Sequence, residues 1–425
     1  MPPIDDHPLR YKLANELHAR PFPTLTAPAT AVFLALRTSI DVIGGARDAE
    51  MTHLHALLDR FGAHHPQPGA THFSCDIGRH RLKWEMHAEF VTFTVFIDRL
   101  SARPFDPADF EVFPEDWLAE APGKRITSAL IRIDRMPRAE IARDKLTGWF
   151  VAESLAMSYV LDQSCLVATD FRIDAAGHQR MALFVGEGTG ERRIGRVVQR
   201  LCEIETYKSM SMLGYFRVKA IAPELGTLEA EAGALMGQLR SSDEDPDHTL
   251  GKLLDLSGDL EKLIADTSFR FGATEAYEAI VHQRIEALRE ERFMGRQTMG
   301  EFMARRYDPA MRTVASTKSR MMSLADRAGR AGQLLRTKVE VARSAQNQAL
   351  LESMDRRADL ALRLQETVEG LSVVAISYYA VSLLGYLVYP LAGPLGVSKG
   401  VLTAAVTVPV VLAVWGMVRR IKARI

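Results

Sequence analysis

Three places in this chain gather side chains able to do chemistry. In Asn15-Glu16-Leu17-His18-Ala19-Arg20-Pro21, a carboxylate, a histidine and an arginine fall within five residues. His18 could act as a general base and Arg20 as an anion clamp. No nucleophile or second carboxylate lies near them, so the plainer account is a helix end that docks the N-terminus, with Arg20 bonding carbonyls. Next, Gly186, Gly188, Gly190 and Gly195 follow an apolar stretch and precede a helical one, where a phosphate-cradling loop would lie. Arg192 and Arg193 could hold an anion at that helix start. The dinucleotide pattern would need a glycine at 191 or 193, where Glu191 and Arg193 stand, and no Gly-Lys-Ser/Thr is present. An ordinary strand-to-helix turn explains the same residues.

The third is a histidine-rich stretch. His53, His55, His64, His65, His72, His80 and His87 put seven of the twelve histidines into thirty-five residues, with Cys75 and Asp76 beside them. Such a set could ligate zinc or another transition metal. No pair shows i, i+4 helical spacing and there is no Cys-x-x-Cys, so exposed or singly bonded imidazoles are the default. No catalytic residue, cofactor or metal ligand is assigned.

The elements that must position these groups change character along the chain. Up to residue 190, strand signals dominate: runs rich in β-branched and aromatic residues at 31–37, 71–77, 81–87, 90–98, 126–133, 165–173 and 180–185. Helices are expected between them at 8–19, 46–61, 138–143 and 151–161. Residues 1–190 therefore read as an α+β or α/β domain with one mixed sheet. Residues 191–307 read as long helices, 192–239 with a break at Pro223 and 249–292. Asp308 and Pro309 mark a turn or helix start, and no proline follows before Gly370, which allows one continuous helix over 308–370.

That last helix carries Leu350, Met354, Arg357, Ala361, Leu364, Val368 and Leu371, spaced alternately four and three. This is a heptad seam. Leu335, Val339 and Ala342 keep the same spacing upstream until Gln346 interrupts it. The stripe could be a self-association stalk, or it could pack on the earlier helices of the same chain.

Two uncharged runs close the chain, one from Leu371 to Tyr389 and one from Gly400 to Val418. Each has close to the roughly 20 apolar residues that span a hydrocarbon core of about 30 Å. Arginines flank both outer sides and the connecting loop 390–399 holds only Lys399, so both flanks are expected to be cytoplasmic. The tail 419–425 is basic. Gly385, Gly393 and Gly396 could permit close helix approach, and Pro409 could kink the second span. No Asp, Glu, Lys, Arg or His lies inside the runs to mark an ion path.

Composition adds limits. Fifty-three basic and fifty-three acidic residues leave no net charge, which argues against bulk nucleic-acid binding. Between Arg296 and Arg363 fourteen basic residues face seven acidic ones, an excess that could touch anionic lipid headgroups. Three scattered cysteines read as reduced cytosolic thiols, and the first ten residues lack the apolar core of a cleavable signal.

His7-Pro8-Leu9-Arg10, the Asn15 to Pro21 segment, Gly300-Glu301-Phe302-Met303 and the stretch from Gln365 to Ser372 together resemble an uncharacterised bacterial family of membrane-anchored proteins of unknown function. The resemblance spans nearly the whole length and implies no activity. In order of parts, the chain is more distantly similar to CorA-type divalent-cation transporters. Their Gly-Met-Asn hallmark is absent, since Leu391-Ala392-Gly393-Pro394 stands at the end of the first run. The expectation is a two-pass protein of the bacterial inner membrane, both termini cytoplasmic, non-enzymatic and homo-oligomeric, presenting its α/β domain to a partner or ligand. Two rivals are a CorA-like channel without that motif, and a membrane-tethered enzyme using the sheet domain.

Overall fold

The computed structural model describes residues 4–16, 22–38, 45–238, 246–391 and 398–422. Nine strands form one mixed sheet in the order β2-β3-β4-β1-β5-β8-β7-β6-β9. They are β1 (Ala29–Arg37), β2 (His72–Ile77), β3 (His80–Met86), β4 (Phe90–Ile97), β5 (Lys124–Arg135), β6 (Ala156–Val160), β7 (Cys165–Ile173), β8 (Gln179–Val185) and β9 (Glu291–Arg292). All neighbours are antiparallel except β5 and β8, which run parallel. The seven strands expected from the sequence are all present.

Both faces of the sheet are covered, which explains why β4 is buried at every position. Val32, Leu34 and Leu36 of β1 meet α2 (Gly45–Arg60), α3 (Glu115–Ala119) and α4 (Ala139–Trp149) on one side, through Leu54, Trp117 and Leu146. Ala31, Phe33 and Ala35 point the other way, onto Ile194, Val197 and Leu201 of α5 (Glu191–Gln238). The alternation of side chains along a strand divides one sequence between two cores.

One expected helix is wrong. Residues 156–160 of the stretch 151–161 form β6, paired antiparallel with β7. Met157 enters one core and Ala156 and Val160 the other. With both faces buried no polar alternation shows in the sequence, and the Leu, Ala and Met content reads as helical. The short α1 (Arg10–Glu16) falls within the expected first helix.

Pro223 does not break α5, which continues for 48 residues. Val218, Ile221, Leu225 and Leu228 flank the proline with a buried stripe, so packing on both sides outweighs the missing N–H. Next come α6 (Pro246–Leu288), α7 (Met299–Arg306) and α8 (Asp308–Val388). Thr298 and Glu301 form a reciprocal capping box at α7, and Glu290 accepts from the backbone N–H of Met299 at 2.9 Å and of Gly300 at 2.7 Å. A side chain at Gly214 would meet Thr274 Oγ1 at 2.2 Å, so glycine there permits the close α5–α6 crossing. Ion pairs Lys318–Glu275 (2.8 Å) and Arg320–Glu229 (2.7 Å) tie the first part of α8 to α6 and α5.

By contact the chain divides into two compact units, Met1–Ser241 with Gly251–Arg330, and Ser242–Leu250 with Ala331–Ile425. The first holds the sheet and the helices packed on it. The second holds the start of α6, the remainder of α8, and α9 (Lys399–Lys422), which continues through Pro409.

Candidate functional site

Residues of β3, β4 and α5 enclose a polar cleft. Thr92 and Thr94 face α5 because Val91, Phe93 and Val95 take the opposite core, and the register Lys83↔Thr94, Glu85↔Thr92 sets Lys83 and Glu85 on the same side. From α5 come Gln199, Cys202, Glu203 and Thr206. Lys83 Nζ lies 3.1 Å from Glu85 and donates to Gln199 Oε1 at 2.8 Å. Gln199 Nε2 donates to Glu203 at 2.9 Å, and Glu203 pairs with Arg284 of α6. The space left between these side chains is about 30 Å³, room for one or two water molecules.

The cleft's charges balance, Lys83 and Arg284 against Glu85 and Glu203. Buried charges persist only when paired in this way. Burial pushes the Cys202 thiol well above its usual range, so it is a poor nucleophile while the cleft is closed. The polar groups satisfy one another, and Phe33, Phe90, Phe96 and Pro23 form the remaining walls. Pro23 belongs to a strap that crosses α5 at Gly195, where Leu25 N donates to Glu191 O at 3.2 Å.

The glycine turn holds itself together. Gly186 N donates to Ser164 O at 2.8 Å, Thr189 Oγ1 donates to the same carbonyl at 3.0 Å, and Gly188 takes a positive φ of 76°. Arg193 N and Ile194 N both donate to Gly190 O, as in an ordinary first helical turn. Arg192 and Arg193 stand exposed at the start of α5. His18 and Arg20 lie outside the described residues, as do Gly393 and Gly396.

The histidines are spread through packing roles. His53 stacks on Trp117 with centroids 4.0 Å apart, His55 on His65 at 4.1 Å and His87 on Phe90 at 4.3 Å. Burial, with Arg60 nearby, lowers the His53 imidazole to about 4. Among the described residues no group of three or more His, Cys, Asp or Glu is placed to hold a metal ion.

The seam on α8 is uncovered. Leu350 is 60% exposed, Met354 58%, Leu364 66%, Val368 54% and Leu371 66%, and Ala361 is exposed too. Charge is balanced over residues 331–369, so the basic excess lies before them, where Lys318 and Arg320 already hold partners. The second unit also contains two helical stretches long and apolar enough to cross a membrane, ending at Val388 and beginning at Lys399. Lys399 sits 4.3 Å from the ring of Tyr389. A side chain added at Gly385 would meet nothing within 4 Å, so that glycine does not serve the contact between α8 and α9. Tyr389 and Gly400 stand where the two stretches approach their connection, and Leu371 and Val418 at their opposite ends.

Sequence reasoning passed over Lys83, Glu85, Gln199, Glu203 and Arg284. In Leu82-Lys83-Trp84-Glu85-Met86 the polar alternates share one strand face, and that α5 docks on this face and buries them is not visible in the local sequence.

The class these features define is an α+β protein with a two-sided mixed sheet, a long-helix bundle and two C-terminal apolar helices. The chain belongs to the family described as protein of unknown function (DUF3422), whose model matches residues 5–425. No curated protein matches the chain. No solved structure does either.

Proposed function

We propose that this protein is a two-pass inner-membrane anchor that self-associates through α8 and presents its sheet domain to a cytosolic ligand or partner. The observation that carries the reading is the exposed apolar seam on a single helix that runs unbroken into an apolar span. Leaving a leucine in water forgoes about 1.5–3 kcal/mol of burial, and several such residues lie in one stripe. A lone helix in water draws its stability mainly from packing, so a second copy with the same seam is the fitting cover. Arg357 at a core position weakens the seam, and pairing of the apolar helices within the bilayer compensates for it. The arginines flanking the hairpin orient both termini to the cytoplasm.

The test is the particle mass of the full-length chain in detergent, measured by light scattering. Leu364→Asp is expected to reduce the mass to that of one chain while the sheet domain stays folded. An unchanged mass would refute the stalk. Extraction of the intact chain from vesicles by alkaline carbonate would refute the anchor.

A further inference from the structure

Four guanidinium groups gather where the first turns of α5 meet the C-terminal end of α6. Arg196 and Arg200 are one turn apart and share a helix face. Arg200 donates to the carbonyl of Ala287 at 2.8 Å. Arg284, one turn before Ala287, pairs with Glu203, which stands one turn beyond Arg200. These contacts set Arg200 and Arg284 side by side. Arg289 joins them from the end of α6, held to Asp162 at 2.6 Å.

The positive charge there is only partly compensated. Glu203 and Asp162 each pair with one arginine, and among the described residues Arg196 and Arg200 have no ion-pair partner of their own, although Glu203 lies near enough to Arg200 to act on its charge. The Nε–H of Arg196 is buried with no hydrogen-bond acceptor. Burial, and then the neighbouring Arg196 and Arg284, push the Arg200 guanidinium below its usual range. Like charges and an unmet donor each cost stability in a partly desolvated setting. A tetrahedral oxyanion relieves the like-charge repulsion, because planar guanidinium forks donate to its oxygens two at a time.

We infer that Arg196 and Arg200, flanked by Arg284 and Arg289, bind a phosphate group at the α5–α6 junction. The glycine turn is not part of this site, and the inference does not depend on self-association. The same chemistry could be met by a free phosphorylated compound or by an anionic lipid headgroup.

Binding of inorganic pyrophosphate to the full-length protein, measured by titration calorimetry at low salt, tests the site. The double variant R196Q/R200Q is expected to bind at least about tenfold more weakly, since each removes charge-assisted hydrogen bonds. Without pyrophosphate its unfolding midpoint should match or exceed that of the native chain, because repulsion is relieved. R196K, which keeps the charge and loses the fork, should show an intermediate loss. Equal pyrophosphate binding by R196Q/R200Q and the native chain would overturn the proposal, as would full competition by sodium chloride at matched ionic strength. Nanodiscs separate the two sources. Weaker pyrophosphate binding in phosphatidylglycerol than in phosphatidylcholine, lost in R196Q/R200Q, assigns the site to a headgroup; equal binding in both assigns it to a free phosphate compound.

Discussion

Gly195→Ala is expected to lift the N-terminal strap from α5 and open the cleft. An added Cβ would fall 1.6 Å from the Pro23 carbonyl oxygen and 2.7 Å from its carbon, so the clash is with backbone that no rotamer change relieves. The strap must move, and with it Leu25, which is 3% exposed. Losing that burial costs about 1.5–3 kcal/mol and the Leu25–Glu191 hydrogen bond about 1 kcal/mol. Alanine's higher helix propensity cancels, because α5 is helical with the strap seated or displaced. The sum, about 3 kcal/mol, corresponds to a roughly 150-fold larger population with the strap displaced. Cys202 reports it directly, because its thiol lines the same cleft and is 7% exposed. Alkylation followed by peptide mass analysis should find Cys202 reacting up to about 150-fold faster in the variant, while Cys75, in the core on the other face of the sheet, keeps its native rate. An unchanged Cys202 rate in folded Gly195→Ala protein would refute the strap as a wall of the cleft.

Further expectations concern charge and pH as well as assembly. Lys83→Met should destabilise the chain by about 3 kcal/mol in urea titrations, because it leaves Glu85 half-buried beside an unmet Gln199. The paired change Lys83→Met with Glu85→Met should recover most of that loss, and failure to do so would show that the pair holds something else in place. His53 titrates near 4 folded against 6.5 unfolded, so the unfolded chain binds the extra proton between those values. Stability should therefore be complete above pH 6.5 and fall by up to about 3 kcal/mol as pH drops toward 4, a slope that His53→Phe should reduce. An equal pH slope in His53→Phe protein would assign the acid sensitivity elsewhere. Leu364→Asp, read by particle mass, remains the decisive variant for assembly.

Much of the fold was legible because its signals are local. Seven strands announced themselves through β-branched and aromatic runs, and the absence of proline before Gly370 marked a single long helix. β6 was not legible, since a strand buried on both faces loses the alternation that distinguishes it. Pro223 misled for a similar reason: a local helix-breaking signal was overruled by apolar stripes whose partners lie far away in sequence.

The sites divide along the same line. Apolar run length and flanking arginines are properties of the sequence alone, so the two membrane-length helices and the heptad seam needed no coordinates to find. How exposed that seam is could be read only in three dimensions: its residues from Leu350 onward are exposed, while Leu335 upstream is buried. Lys83 and Glu85 share a strand face by alternation, but only the packing of α5 onto it buries them. Arg200 and Arg284 lie 84 positions apart, and nothing in their local sequence pairs them. Periodicity records which residues share a face, but burial and charge depend on what that face meets, and only the packed chain determines that.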